Sequence, residues 1–182
     1  MIILGIDPGS RKTGFGLIKK SGNRNIHIEN GTIYLEEKPR YSDRLVCLYQ
    51  EIQSIIAAFH PEVIAIENIF YHKNPKSSQK LGEVRGVAMV SGAISGLPVF
   101  EYAPLEVKKA ITGYGNASKE QVQFMVRRLL NLNDIAEENA SDALGVALCH
   151  AHSYSQLGLA KKAGGMVVNK KSEILKKASF YR

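Results

Sequence analysis

The sequence predicts an α/β fold in which a five-stranded mixed sheet is flanked by helices. Apolar runs of strand length occur three times before residue 36 and twice after residue 60, and segments with helical spacing of apolar residues follow the later runs. The 182 residues, 45% of them hydrophobic and 23% charged, are enough for one domain with a sizeable core. One mixed sheet with helices on its faces accommodates this order of elements.

Turn residues and prolines bound the predicted strands. Pro8-Gly9-Ser10 separates the first strand from the second, and Ser21-Gly22-Asn23 separates the second from the third. The fourth strand is a continuous apolar run that follows Pro61 and ends at Glu67, which is typical of a strand buried on both faces. The five predicted strands occupy residues 1–7, 13–19, 25–35, 63–66 and 98–102.

Helices are predicted where apolar residues recur at spacings of three and four. The first helix shows this most clearly, with Leu45, Leu48, Ile52, Ile55, Ile56 and Phe59 on one face. A capping box formed by Ser118 and Gln121 opens another of them. The predicted helices occupy residues 42–59, 78–95, 104–111, 118–130 and 139–153, with a further short one at residues 172–180.

Positive charge is concentrated at the carboxyl end of the chain. Of the net charge of +7, the residues from Ser153 onward contribute +6 and the rest +1. We therefore expect one nearly neutral domain at residues 1–153 and a basic tail at residues 154–182. Such a tail suits a polyanionic partner, because each neutralised phosphate releases condensed counterions. Lysine-rich tails also occur for solvation alone, so the charge leaves both interpretations open.

The apolar segments and the cysteines bear on location. The longest uncharged stretch, residues 86–100, is shorter than a bilayer span and contains Gly92, Gly96 and Pro98. Cys47 and Cys149 form no Cys-x-x-Cys pair and lie in segments with helical spacing, so reduced, buried thiols are expected. We expect a cytoplasmic protein without a membrane partner.

Three acidic residues occupy positions where structure alone has little use for them. Asp7 and Glu67 each end an apolar strand, and Asp142 lies near the start of an apolar helix. If the two strands are neighbours, the two carboxylates approach to about one strand spacing, roughly 5 Å, and repel each other. A hard divalent cation relieves this repulsion, and oxygen ligands without His or Cys favour magnesium or manganese.

Structural roles explain some of these acids equally well. Asp7, in Asp-Pro-Gly, could simply begin a turn. Asp142 could serve the helix dipole in a capping box that has Asn139 as its N-cap. For Glu67, which follows four apolar residues, a structural role is harder to find. Taken together, the three acids favour a metal site.

The sequence resembles the RuvC family of Holliday-junction resolvases over residues 1–152. The resemblance extends in register along the chain, which a single short motif could not do. It rests on Gly5-Ile6-Asp7-Pro8-Gly9-Ser10-x-x-Thr13-Gly14-x-Gly16, Ile66-Glu67-x-x-Phe70-x-x-Lys73-Asn74, Lys80-Leu81-Gly82-x-x-Arg85-Gly86, Pro98-Val99-Phe100-Glu101-Tyr102, Val107-Lys108, Lys119-x-Gln121-Val122-Gln123-x-Met125-Val126 and Ala140-x-Asp142-Ala143-Leu144.

The resemblance implies a ribonuclease H-like fold and a homodimeric endonuclease that cuts four-way DNA junctions symmetrically. It further implies two Mg²⁺ ions per site, with Mn²⁺ as a substitute, held by Asp7, Glu67 and Asp142. Where the family usually has a fourth Asp or a His, this chain has Asn139. Asn139 could be a weaker ligand or only a helix cap, or Glu138 could take its place.

The same resemblance implies DNA contacts and a protein partner. Aromatic residues beside lysines suit stacking on unpaired bases next to held phosphates, and Phe70 is the expected wedge. A branch-migration complex of the RuvA/RuvB type is the expected protein partner. The residues expected to contact DNA are Phe70, Lys73, Lys76, Arg85, Lys108 and Lys119.

Two other interpretations remain open from the sequence. The segment around Asp7 and Gly9 also resembles the phosphate loop of actin-like ATPases and sugar kinases, although no second phosphate loop or adenosine-binding segment is evident. The uncharged Asn139 leaves room for a junction-binding protein that does not cleave.

Overall fold

The computed structural model describes residues 1–68 and 75–162, with side chains described as far as residue 154. Met1–His152 form one compact unit. Within the described residues, the strands are β1 (Ile2–Asp7), β2 (Lys12–Ser21), β3 (Arg24–Tyr34), β4 (Val63–Glu67) and β5 (Val99–Tyr102). The helices are α1 (Tyr41–Phe59), α2 (Pro75–Ile94), α3 (Pro104–Thr112), α4 (Lys119–Leu130) and α5 (Glu138–Lys162).

The strands form one five-stranded mixed sheet, as predicted, and their order in it is β3-β2-β1-β4-β5. The first three strands pair antiparallel as a meander, and β1, β4 and β5 run parallel. The register aligns Ile6 of β1 with Ile66 of β4. The next residues, Asp7 and Glu67, therefore leave the sheet side by side at its centre.

Helices cover both faces of the sheet. Because successive side chains of a strand point to opposite faces, Ile3 packs among residues of α3, α4 and α5, whereas Leu4 packs among residues of α1 and α2. In β4, Ile64 likewise packs among residues of α1 and α2, and Ala65 packs among residues of α3, α4 and α5. Both central strands are thus buried on two faces, which explains their continuous apolar runs.

Glycines let α5 lie directly against the sheet. A Cβ on Gly14 would be 1.9 Å from the carbonyl oxygen of Asn139, and one on Gly5 would be 2.1 Å from that of Ala143. The backbone of α5 therefore crosses β1 and β2 at a distance that no side chain on these strands permits. This approach brings the amino-terminal part of α5 to the end of β1.

Several predicted boundaries need correction. Helix α2 begins at Pro75 rather than at residue 78, and α5 continues to Lys162 rather than ending near residue 153. Helix α5 also begins at Glu138, so Asn139 is its second residue and the interpretation of Asn139 as an N-cap is wrong. The Ser118–Gln121 capping box is confirmed. The predicted short helix at residues 172–180 lies outside the described residues.

Within residues 1–68 and 75–162, no helix combines the length and the hydropathy needed to cross a bilayer.

Candidate active site

Asp7 and Glu67 form a carboxylate pair at the carboxyl ends of β1 and β4. Burial is the largest cause that raises the pKa of Asp7 to about 6 and that of Glu67 to about 8, followed by the charge of Asp142 at Asp7 and the charge of Asp7 at Glu67. The contact between the two carboxyl groups lowers the pKa of Asp7 and raises that of Glu67. The pair therefore resists carrying two negative charges.

Asp142, one turn into α5, is the third carboxylate of this region. Its side chain is 22% exposed, and its negative charge raises the pKa of both Asp7 and Glu67. Burial raises the pKa of Asp142 itself, and a hydrogen bond from Lys119 opposes this effect. The negative charges of the three acids therefore interact. Asp142 is hydrogen-bonded to Lys119, whereas Asp7 and Glu67 contact each other.

Lys119, the first residue of α4, bridges two carboxylates of α5. Its Nζ lies 2.9 Å from Oδ2 of Asp142 and 2.5 Å from Oε1 of Glu138. Burial lowers the pKa of Lys119, but the hydrogen bonds to Glu138 and Asp142 outweigh burial and raise it. Lys119 is therefore a cation held next to the acidic centre.

A cavity of about 150 Å³ opens beside these groups. Two lysines and two carboxylates reach it, and apolar side chains complete its wall. Lys108 is anchored there by donating a 2.9 Å hydrogen bond from Nζ to the carbonyl oxygen of Ala117. The lining residues are Glu67, Pro104, Val107, Lys108, Lys119, Val122 and Asp142.

The donor set at this cavity suits a hard cation. Oxygen donors without His or Cys are the ligands that Mg²⁺ and Mn²⁺ prefer, and the raised pKa values of Asp7 and Glu67 indicate a deficit of positive charge. Over residues 1–68 and 75–162, no three His, Cys, Asp or Glu side chains are grouped so that they could hold one ion as they stand. Asp142 is instead bonded to Lys119, so metal binding by all three acids requires that bond to change.

The other predicted site residues lie apart from the cavity lining. Asn139 lines a different depression together with the turn between β1 and β2. Arg85 of α2 forms an ion pair with Glu101 of β5. Lys76 is exposed in the first turn of α2. Phe70 and Lys73 lie outside the described residues.

One functional contact was only partly foreseen from the sequence. The sequence offers Glu138 as a substitute metal ligand, but its carboxylate, 62% exposed, forms an ion pair with Lys119. The sequence does show that Glu138 lies four residues before Asp142, and this spacing places both carboxylates on one face of α5. Nothing in the sequence indicates that Lys108 reaches the carbonyl oxygen of Ala117.

Comparisons with known proteins identify the relatives of this chain. The family model described as crossover junction endodeoxyribonuclease RuvC matches residues 3–150. The crossover junction endodeoxyribonuclease RuvC of Geobacter sp. (strain M21) is 52% identical over 161 residues, which are 88% of this chain and 98% of that protein. The corresponding protein of Syntrophotalea carbinolica is 54% identical over 154 residues, which are 85% of this chain and 96% of that one.

Solved structures show the same fold. A structure of T. thermophilus RuvC in complex with a Holliday junction substrate superposes with a TM-score of 0.81 at 30% identity, covering 87% of this chain and 96% of that one. The yeast mitochondrial Holliday junction resolvase shares the fold with a TM-score of 0.64 at 13% identity, over 88% of this chain and 83% of that one.

The sheet and these relatives define a class, the metal-dependent nucleases with a ribonuclease H-like fold. The chain belongs to the RuvC family of crossover junction endodeoxyribonucleases. The family match favours a nuclease over an actin-like ATPase. The close approach of Asn139 to Gly14 gives that glycine a packing role that needs no nucleotide phosphate.

Proposed function

We propose that the protein resolves four-way (Holliday) DNA junctions by paired, symmetric nicks that leave a 5′-phosphate and a 3′-hydroxyl. The observation that carries this proposal is the Asp7–Glu67 pair next to Asp142, beside two lysines, in a chain of the RuvC family. The carboxylates supply oxygen ligands, and the lysines supply positive charge for a phosphodiester.

Mg²⁺ is the proposed metal, with two ions per site and Mn²⁺ as a substitute. Asp7, Glu67 and Asp142 are the proposed ligands, and the side-chain carbonyl of Asn139 is a further candidate. When bound, such ions activate a water for in-line attack on the scissile phosphate and stabilise the leaving 3′-oxygen.

The chain's own groups prepare this chemistry. Glu67 must give up its proton before both oxygens of its carboxylate can bind a cation, and the charge of the cation favours that loss. Lys108 and Lys119 are proposed to hold phosphates of the cleaved strand at the cavity. The carbonyl oxygen of Ala117 keeps the Lys108 ammonium in position.

Further DNA contacts are proposed outside the cavity. Phe70 is the proposed wedge between bases at the crossover, with Lys73 and Lys76 on nearby phosphates. In the protein without DNA, Arg85 forms an ion pair with Glu101. Arg85 can therefore contact DNA only if it leaves Glu101 or binds both groups at once. We further propose the basic tail at residues 154–182 as a contact for the phosphate backbone.

Two matched cuts on opposite strands require two identical sites, which a C2 homodimer provides. Helix α2 is the proposed contact between the subunits. Its Val90 and Ile94 are 52% and 65% exposed, and a Cβ added at Gly82 or Gly86 would meet nothing within 4 Å. A branch-migration complex of the RuvA/RuvB type, in the cytoplasm, is the proposed protein partner.

We expect the double variant Val90→Glu, Ile94→Glu to be monomeric, because two carboxylates one helical turn apart would be buried at a twofold contact. Sedimentation velocity with and without junction DNA measures this. Phe124→Glu is the matched control, since Phe124 is 52% exposed on α4, which packs on the opposite face of the sheet. A dimer that persists in the double variant contradicts the assignment to α2.

A labelled four-way junction incubated with the protein and Mg²⁺ tests the proposed function. The expected products are two nicked duplexes, cut at symmetric positions on opposite strands and religated by DNA ligase, which requires a 5′-phosphate next to a 3′-hydroxyl. Binding without cleavage, in Mg²⁺ or in Mn²⁺, would identify a junction-binding protein instead, which is the alternative that the uncharged Asn139 favours.

A further inference from the structure

Lys119 places a positive charge beside Asp142, with its Nζ 2.9 Å from Oδ2. We propose that its ammonium is a built-in counterion which competes with the metal for Asp142, and which releases Asp142 when the metal binds, keeps Glu138 and pairs with the DNA phosphate. This inference rests on the proposed function, because it presumes that Asp142 is a ligand.

The geometry allows such an exchange of partners. Lys119 lies between two carboxylates on one face of α5, with its Nζ 2.9 Å from Asp142 and 2.5 Å from Glu138. Asp142 is the inner of the two, 22% exposed, and Glu138 is the outer, 62% exposed. The side chain can therefore release Asp142 without losing its other ion pair.

For electrostatic reasons, the ammonium of Lys119 and a metal ion compete for Asp142. A divalent cation that takes Oδ2 of Asp142 as a ligand lies within a few ångströms of any ammonium still bonded to that oxygen, and the two positive charges repel each other. Without a metal, the same ammonium compensates part of the negative charge of three neighbouring acids. Lys119 thus stabilises the metal-free protein and makes the free energy of metal binding less favourable.

Lys108 provides a contrast at the same cavity. It carries the same charge and lines the same wall, but its Nζ donates to the backbone carbonyl of Ala117. Replacing Lys108 by a neutral residue therefore changes the electrostatic potential at the site, but it releases no carboxylate oxygen. A comparison of the two lysines therefore separates competition for Asp142 from general repulsion.

The experiment measures Mn²⁺ binding to the full chain without DNA, by calorimetry and by the electron paramagnetic resonance of free Mn²⁺. We expect Lys119→Met to bind Mn²⁺ about tenfold more tightly than the unmodified protein, a typical coupling between two sites. Lys119→Arg keeps the cation and should bind as the unmodified protein does, and Lys108→Met should gain less than about threefold. Thermal unfolding of each variant checks that it is folded.

The role of Glu138 is tested by a double-mutant cycle. Glu138→Gln should weaken Mn²⁺ binding when Lys119 is present, because the displaced ammonium then lacks its outer partner. The same change should have a smaller effect in the Lys119→Met background. Equal effects in both backgrounds would mean that Glu138 acts on the metal only through its own charge, which would overturn the exchange.

The outcomes separate this inference from the proposed function. If the unmodified protein binds no Mn²⁺, or if Asp7→Asn binds it as well as the unmodified protein, the proposed metal site is wrong. If the unmodified protein binds Mn²⁺ through Asp7 but Lys119→Met gains no affinity, only the competition is wrong. An equal gain in Lys119→Met and Lys108→Met also overturns it.

Discussion

Asp7→Asn is expected to lower the rate of junction cleavage by about a thousandfold or more while junction binding persists. Loss of an outer-shell partner of a metal typically costs ten- to a hundredfold, and Asp7 is a proposed direct ligand at the centre of the sheet. The amide is neutral and nearly isosteric, so it removes ligand charge with little change in packing. The DNA contacts proposed for Lys108 and Lys119 remain in this variant.

Two measurements on the same preparation check this prediction. Junction affinity is measured by fluorescence anisotropy in Ca²⁺, and single-turnover cleavage is measured in Mg²⁺. Asp134→Asn, in the exposed segment after α4, is the matched control and should retain full cleavage. Substantial cleavage by Asp7→Asn would remove the chemical basis of the proposal.

The second prediction concerns the free energy of unfolding of the metal-free protein. The pKa of Asp7 is raised to about 6 and that of Glu67 to about 8, above their ordinary values of 3.8 and 4.5. The folded state therefore binds protons more tightly than the unfolded state. The stability linked to the pair is fully present below about pH 4 and is lost as the pH rises through 6 to 8.

We expect Asp7→Asn in EDTA to be more stable than the unmodified protein at pH 8.5, by the order of 3 kcal/mol, because each pKa unit corresponds to about 1.4 kcal/mol. Near pH 3.5, below the ordinary pKa of Asp, the difference should largely vanish. Urea unfolding at both pH values measures it, with Asp134→Asn as the control for unrelated titrations. A variant that is less stable than the unmodified protein at pH 8.5 would contradict the uncompensated charge at this pair.

These two predictions share one physical origin. Asp7 and Glu67 destabilise the metal-free protein because burial and the charges of neighbouring acids oppose their ionisation. The same properties make the pair a good ligand set for a divalent cation. A functional site that lowers stability in this way is a common outcome where binding requires preorganised charge.

Much of the fold could be predicted from the sequence because its signals are local. The apolar run of β4, the turn at Pro8-Gly9-Ser10 and the capping box at Ser118 depend only on neighbouring residues. The boundaries of α2 and α5 were less accurate, since helix ends depend on contacts beyond the helix itself. The N-cap assigned to Asn139 was wrong for this reason.

By itself, the sequence determined the mixed sheet, the family and the positions of Asp7 and Glu67 at strand ends, because hydrophobic periodicity and motif spacing are written along the chain. Only the tertiary structure decided what surrounds those acids. Lys119 meets Asp142 and Glu138 because α4 and α5 pack on the same face of the sheet, and α5 lies close to β1 because Gly5 and Gly14 carry no side chain. Contacts between residues about twenty positions apart depend on that packing, which no local pattern specifies.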